Sequence, residues 1–262
     1  MKITIYSLIF KSTQFADWVY NAVHKNTPEI AKGEAKFVFV ANNATEEVIN
    51  HLNDKGYEFI EFFTDHKTNE QLRDIGISEP WYIHSVYRGY NKAIEITETP
   101  YLAILNSDMY PAPGWVTSPL KYLEERECVV ISQYVEPRRN GNIFRNRLTG
   151  VQVLERDFGQ TLSAFDSEGF EKYAEKVKRP TTQPVVAYQP IFSRKETLAY
   201  PPGNILCEYW ENSRPSGKVP FGQIEYGDEV MIRWLREKNI PVFQDNYSMV
   251  YHFDCGERLE KE

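Results

Sequence analysis

The feature that most restricts this chain is the alternation in its first half. Five apolar runs, "KITIYSLIF", "KFVFVANN", "YEFIEFF", "YLAILNSD" and "CVVISQYV", are separated by segments whose apolar residues recur at helical spacing. Ser12 or Thr13 can cap a helix that keeps Phe15, Trp18, Val19, Ala22 and Val23 on one face. Thr45 caps a second helix, with Val48, Ile49 and Leu52 inward and Gly56 as its terminator. Ser78 and Pro80 open a third, carrying Ile83, Val86, Tyr87, Tyr90 and Ile94, and Ser118–Pro119 starts a fourth that runs through Leu123. Strands that are apolar at nearly every residue are buried on both faces. Strand–helix alternation supplies the helices that bury them. The expectation is an α/β fold with a mostly parallel central sheet and helices on both faces.

The second half is less regular. "EPRRNGNIFRNRLTG" is turn-rich and carries Arg138, Arg139, Arg145 and Arg147. A helix is predicted over 168–178, stopped by Pro180, and "VVAYQPIFSR" reads as a strand. Residues 199–227 form a long loop-like region rich in proline, glycine and aromatics, a length that is usually functional or poorly ordered in a compact domain. "DEVMIRWLREKN" reads as a helix and "PVFQDNYSMVYHF" as a closing strand. No internal repeat or low-complexity tract divides the sequence, so one domain over 1–262 is the simplest organisation.

Composition narrows the function. A net charge of −7 and a pI near 5.4 argue against a protein that wraps nucleic acid by charge alone, though a local basic patch is compatible with them. Cys128, Cys207 and Cys255 are widely spaced with no CxxC pair, which suggests neither a disulfide framework nor a zinc site. A reducing cytoplasm is the default expectation. The N-terminal apolar run is too short to span a membrane and lacks a small-residue cleavage site, and no other segment is long enough. The sequence reads as soluble.

In a parallel sheet of this kind ligands bind outside the carboxyl ends of the strands. Asn42, Asn43, Asp65 and Asp108 fall at those ends. A hard divalent cation needs oxygen ligands, and a carboxylate at a strand tip offers one without stranding a buried charge. Asn106, two residues earlier, shares Asp108's side of the strand if the pleat persists. Taken alone, Asn106–Ser107–Asp108 is more simply a turn before Pro111. His252 is a lone signal too. It gains meaning only beside Asp108, where a neutral imidazole completes a mixed oxygen and nitrogen site suited to Mn²⁺. Asp228 and Glu229 head the last helix, where acidic residues cap and complement the dipole, or where a general base is held rigidly. There is no GxGxxG after the first strand, no GxxxxGK[ST] and no GxSxG.

The order of these pieces carries more than any one of them. "VFVANNATEEV", "YRGYNKAIEITETPYLAILNSDMYPAPGWV", "IFSRKETL", "YGDEVMIRWLREKNIPV" and "MVYHF" together resemble the family 2 glycosyltransferases of GT-A fold, the Rossmann-like fold of nucleotide-diphospho-sugar transferases. The resemblance covers roughly residues 2–253. It implies a nucleotide-sugar-binding half over 1–127 and an acceptor-binding half over 128–262. It implies that Asn42, Asn43 and Asp65 contact base and ribose, and that Asn91, Asn106 and Arg194 position the donor or shape the site. Asp108 and His252 would hold Mn²⁺ or Mg²⁺, and Asp228 or Glu229 would take the acceptor proton in a single inverting displacement. The donor implied is a nucleotide-diphosphate sugar, UDP-sugar favoured, passing a hexosyl or pentosyl group to a hydroxyl. There are departures: Asn106 stands where DxD has its first Asp, Asp228–Glu229 inverts the usual acidic pair, and "GGF" is missing. Asn106 leaves room for a catalytically impaired sugar-nucleotide binding module, and the Arg138–Arg147 loop for a glycosyltransferase acting on modified DNA bases. A nucleotidyltransferase is disfavoured, since "YSLIFKSTQF" lacks the glycine-rich loop such enzymes carry.

Overall fold

The apolar runs become the interior of one sheet. The computed structural model describes residues 1–63, 81–137, 143–145, 152–185, 190–199 and 235–253. Strand β1 (Ile3–Ile9) is buried at every residue and lies between β2 (Ala35–Asn42) and β4 (Tyr101–Asn106), parallel to both. Strand β3 (Phe59–Phe62) adds parallel to β2. Helix α1 (Thr13–Asn26) and the short α2 (Pro28–Ala31) link β1 to β2, α3 (Glu46–Lys55) links β2 to β3, and α4 (Trp81–Ile96) precedes β4. At α1 and α3 the caps are those the sequence predicts. The Ser12 hydroxyl accepts from Phe15 N, the Thr45 hydroxyl from Val48 N, and α3 closes on Gly56 at φ +66°.

Beyond β4 the sheet becomes mixed. The chain runs through β5 (Met109–Pro111), α5 (Thr117–Glu125), β6 (Val129–Glu136), β7 (Ile143–Arg145) and β8 (Gln152–Glu155). It continues through α6 (Ser167–Val177), β9 (Thr182–Pro184), β10 (Ile191–Arg194), α7 (Lys195–Ala199) and β11 (Val242–His252). The hydrogen-bonded order is β3-β2-β1-β4-β10-β6-β11-β5, with β8 beside β6, β7 on β8 and β9 on β11. Strand β10 is antiparallel to both neighbours, whereas β6 and β11 are parallel to each other. Within the stretch read as one strand, "VVAYQPIFSR", the described residues Ile191–Arg194 pair as β10, and β9 lies just upstream of it. Pro111 is tolerated in β5 because that strand ends the sheet, where a missing N–H costs no inner ladder bond.

Two apolar clusters hold the sheet. The larger surrounds β1, β2, β4 and β6 and includes fully buried Phe39, Trp115 and Phe192. The smaller is aromatic, with Trp18, Tyr110, Phe165, Phe170, Tyr251 and Phe253 packed between α1, α6 and the β5–β11 pair. Edge-to-face contacts such as Trp18 with Phe253, 4.9 Å between centroids, suit rings whose edges are positive and faces negative. Tyr251 lies fully buried in this cluster, and its hydroxyl donates to Gly159 O at 2.7 Å. The cluster therefore fixes the end of β11. Among the described residues no helix is long and apolar enough to cross a membrane.

Candidate active site

The end of β4 is where the site is built. The strand stops at Asn106, and Ser107–Asp108 turns the chain into β5. Strand β5 then pairs antiparallel with the end of β11, setting Met109 opposite His252. Phe253 N donates to Asp108 O at 3.1 Å, closing the backbone clamp. The result is a side-chain pair, with His252 Nε2 3.4 Å from Asp108 Oδ2 and the two side chains 17% and 13% exposed. On the other side of the ring, Glu136 ends β6, and its Oε1 lies 3.1 Å from His252 Nδ1. The Glu136 side chain is 6% exposed. Burial disfavours a charged imidazole here, but the Asp108 and Glu136 carboxylates outweigh it and push His252 up to about 10.

This donor chemistry fits a divalent ion. A carboxylate oxygen and an imidazole nitrogen converge, while the second imidazole nitrogen is held by a buried carboxylate, the arrangement that orients metal-binding histidines. Among the described residues no group of three or more His, Cys, Asp or Glu side chains closes around a common point. Two protein donors suit Mg²⁺ or Mn²⁺, ions that take other ligands from substrate phosphates and water.

Asn106 behaves differently from the expectation. The strand stops at Asn106 and Ser107–Asp108 form a turn, so the pleat does not run on to Asp108. The Asn106 Oδ1 instead accepts from the Tyr90 hydroxyl on α4. That ties its side-chain oxygen to α4.

The comparisons fall on this edge. Residues 84–196 match a family model described as glycosyl transferase family 2, a span that contains Asn91, Asn106, Asp108 and Glu136. A solved structure, described as GalNAc-T7 with UDP, GalNAc and Mn²⁺, superposes with a TM-score of 0.59 at 11% identity over 96% of this chain. The chain has the GT-A fold. It spans 44% of that solved chain's length. No curated protein matches it in sequence.

Within the GT-A frame the remaining candidates separate. At the end of β2, Asn42 Nδ2 donates to Ser85 O at 3.1 Å and to Ser85 Oγ at 3.2 Å, and Asn43 Nδ2 donates to Ser85 Oγ at 2.7 Å. Asn43 sits at φ +53°, a conformation asparagine tolerates better than most residues. These two asparagines fasten β2 to α4. Asn91 follows Tyr90 on that helix and is buried. Arg194 is a correction. Because β10 runs antiparallel, its last residue pairs with Tyr101 at the start of β4, at the opposite end of that strand from Asp108. Its guanidinium donates from Nε and Nη2 to Leu123 O at 3.0 and 2.7 Å, which ties β10 to α5. Asp65, Asp228 and Glu229 lie outside the described residues, as do Arg138, Arg139 and Arg147. Glu136 is the residue the sequence reading misses. It stands first in "EPRRNG" and is taken there as turn, although it ends an apolar strand just as Asp108 follows one.

Proposed function

We propose that the chain transfers a sugar from a nucleotide-diphosphate sugar, a UDP-sugar favoured, to an acceptor hydroxyl, using a divalent ion held by Asp108 and His252. The observation that carries this is the convergence of Asp108 and His252, from distant parts of the sequence, at the carboxyl end of β4 in a GT-A sheet. The neighbour's UDP and Mn²⁺ support the same class of donor and ion. When bound, the ion supplies Lewis-acid stabilisation of the departing diphosphate. Asn106, its carbonyl held by Tyr90, presents its amide to the donor. Asn42 and Asn43 keep α4 against β2 and so shape the floor for base and ribose. Asp228 or Glu229 takes the proton of the attacking hydroxyl, and the displacement inverts the anomeric carbon. Residues 1–127 serve the donor and 128–262 the acceptor, a carbohydrate or a modified nucleic-acid base.

The test is a thermal-shift screen of nucleotide sugars with and without Mn²⁺, followed by transfer and donor-hydrolysis assays. A donor that stabilises the protein only with metal identifies itself. Asp108→Asn should then lower transfer by about 100-fold or more while unfolding at nearly the same temperature, since it removes the anionic ligand but keeps the shape. Undiminished metal-dependent turnover in Asp108→Asn and His252→Ala would exclude this site.

A further inference from the structure

We propose that Glu136 is a positioning residue, which accepts the Nδ1 proton of His252 and so turns Nε2 toward Asp108. The inference rests on the metal reading above and goes beyond it in assigning a role to a residue outside the ligand pair. An imidazole has two nitrogens, and the partner of one decides which proton the other carries. Here each nitrogen has a different carboxylate facing it, Glu136 at 3.1 Å from Nδ1 and Asp108 at 3.4 Å from Nε2. Asp108 is the more exposed of the two, 13% against 6%. Glu136 is buried, and a buried carboxylate is costly unless it is paired.

The contact is also built into the backbone. Glu136 ends β6 and His252 ends β11, and the two strands pair in parallel with Val135 opposite Tyr251. Tyr134, two residues before Glu136, sets its ring 5.6 Å from the imidazole. Tyr251, the residue before His252, is anchored in the aromatic cluster. Neither partner is a surface side chain that meets the other by chance rotation.

The experiment titrates Mn²⁺ into the full chain with UDP present and reads free Mn²⁺ by its paramagnetic resonance. Glu136→Ala should weaken Mn²⁺ binding by about 10–100-fold, the usual loss when such a supporting contact is removed. Glu136→Gln, whose amide oxygen can still accept from Nδ1–H, should restore most of that affinity. In the Mg²⁺–UDP complex, long-range proton–nitrogen correlation should place the His252 proton on Nδ1, and Glu136→Ala should lose that preference. Binding lost in His252→Ala but unchanged in Glu136→Ala overturns the positioning role and leaves the metal reading standing. Equal losses in the Ala and Gln variants overturn it as well. Mn²⁺ bound equally by the natural chain and His252→Ala overturns both readings.

Discussion

Two side chains show how one force, burial, gives opposite results depending on neighbours. Cys128 is fully buried, and burial pushes its thiol up to about 11 despite the nearby Arg126. His252 is mostly buried too, yet the Asp108 and Glu136 carboxylates reverse the effect and raise its pKa. The consequence for Cys128 is inertness. Iodoacetamide at pH 8 should leave it unlabelled in the folded protein and label it once urea unfolds the chain, as read by peptide mass mapping. Labelling at the unfolded-state rate in native buffer would contradict the burial. At this scale the sequence showed Asp108 and His252 as candidates because each follows an apolar strand. It did not show Glu136, since a carboxylate beside prolines and arginines looks like turn until β6 and β11 are known to be parallel neighbours. Asn106 is hard to read for a related reason: its surroundings depend on where β4 stops and on Tyr90, sixteen residues earlier, whose hydroxyl donates to it.

The helices were the most legible elements, and the mixed sheet the least. Caps at Ser12, Thr45 and Gly56 are local chemistry, readable from a few adjacent residues. The reversal of β10 is not local. A four-residue apolar strand has no mark of direction, and that reversal is what sets Arg194 at the opposite end of β4 from Asp108. Helix α4 supplies the element-scale prediction, because it approaches β1 and β2 through Gly89. A Cβ there would stand 2.7 Å from Leu8 Cδ2 and 3.2 Å from the Asn42 amide. Overpacking of this kind costs about 1–3 kcal/mol, against about 1 kcal/mol gained from the better helix propensity of alanine. Gly89→Ala should therefore be destabilised in urea unfolding. A higher midpoint would mean that Leu8 and Asn42 yield freely and that the Asn42–Ser85 contacts do not fix the helix.

Stability against pH belongs to the whole molecule, and Asp245 makes a clear test of it. The residue is fully buried on β11, and burial raises its pKa although Tyr247 N donates to it at 3.0 Å and Ser118 also bonds it. The folded state thus holds this proton more tightly than the unfolded chain, whose carboxyl titrates near about 3.9. Stability falls as pH rises from that value through the raised one, and the penalty is fully present at neutral pH. Asp245→Asn should accordingly raise the melting temperature at pH 7, with the gain shrinking as pH approaches 4. A gain that is the same at both pH values, or a loss at pH 7, would refute this account.

The position of β6 between β10 and β11 has a consequence in time. The four front strands can associate as they leave the ribosome, since each meets a neighbour already made or soon to follow. Strand β6 finds only β8 early, along Tyr134–Glu136, while its Val129–Ile131 stretch waits for β10 and its other edge for β11, a period when such bare edges invite wrong pairing. Late pairing of distant segments is also slow. A chain interrupted before Val242 carries Asp108 and Glu136 with no histidine between them, so the Asp108 edge is completed only when the last described strand docks.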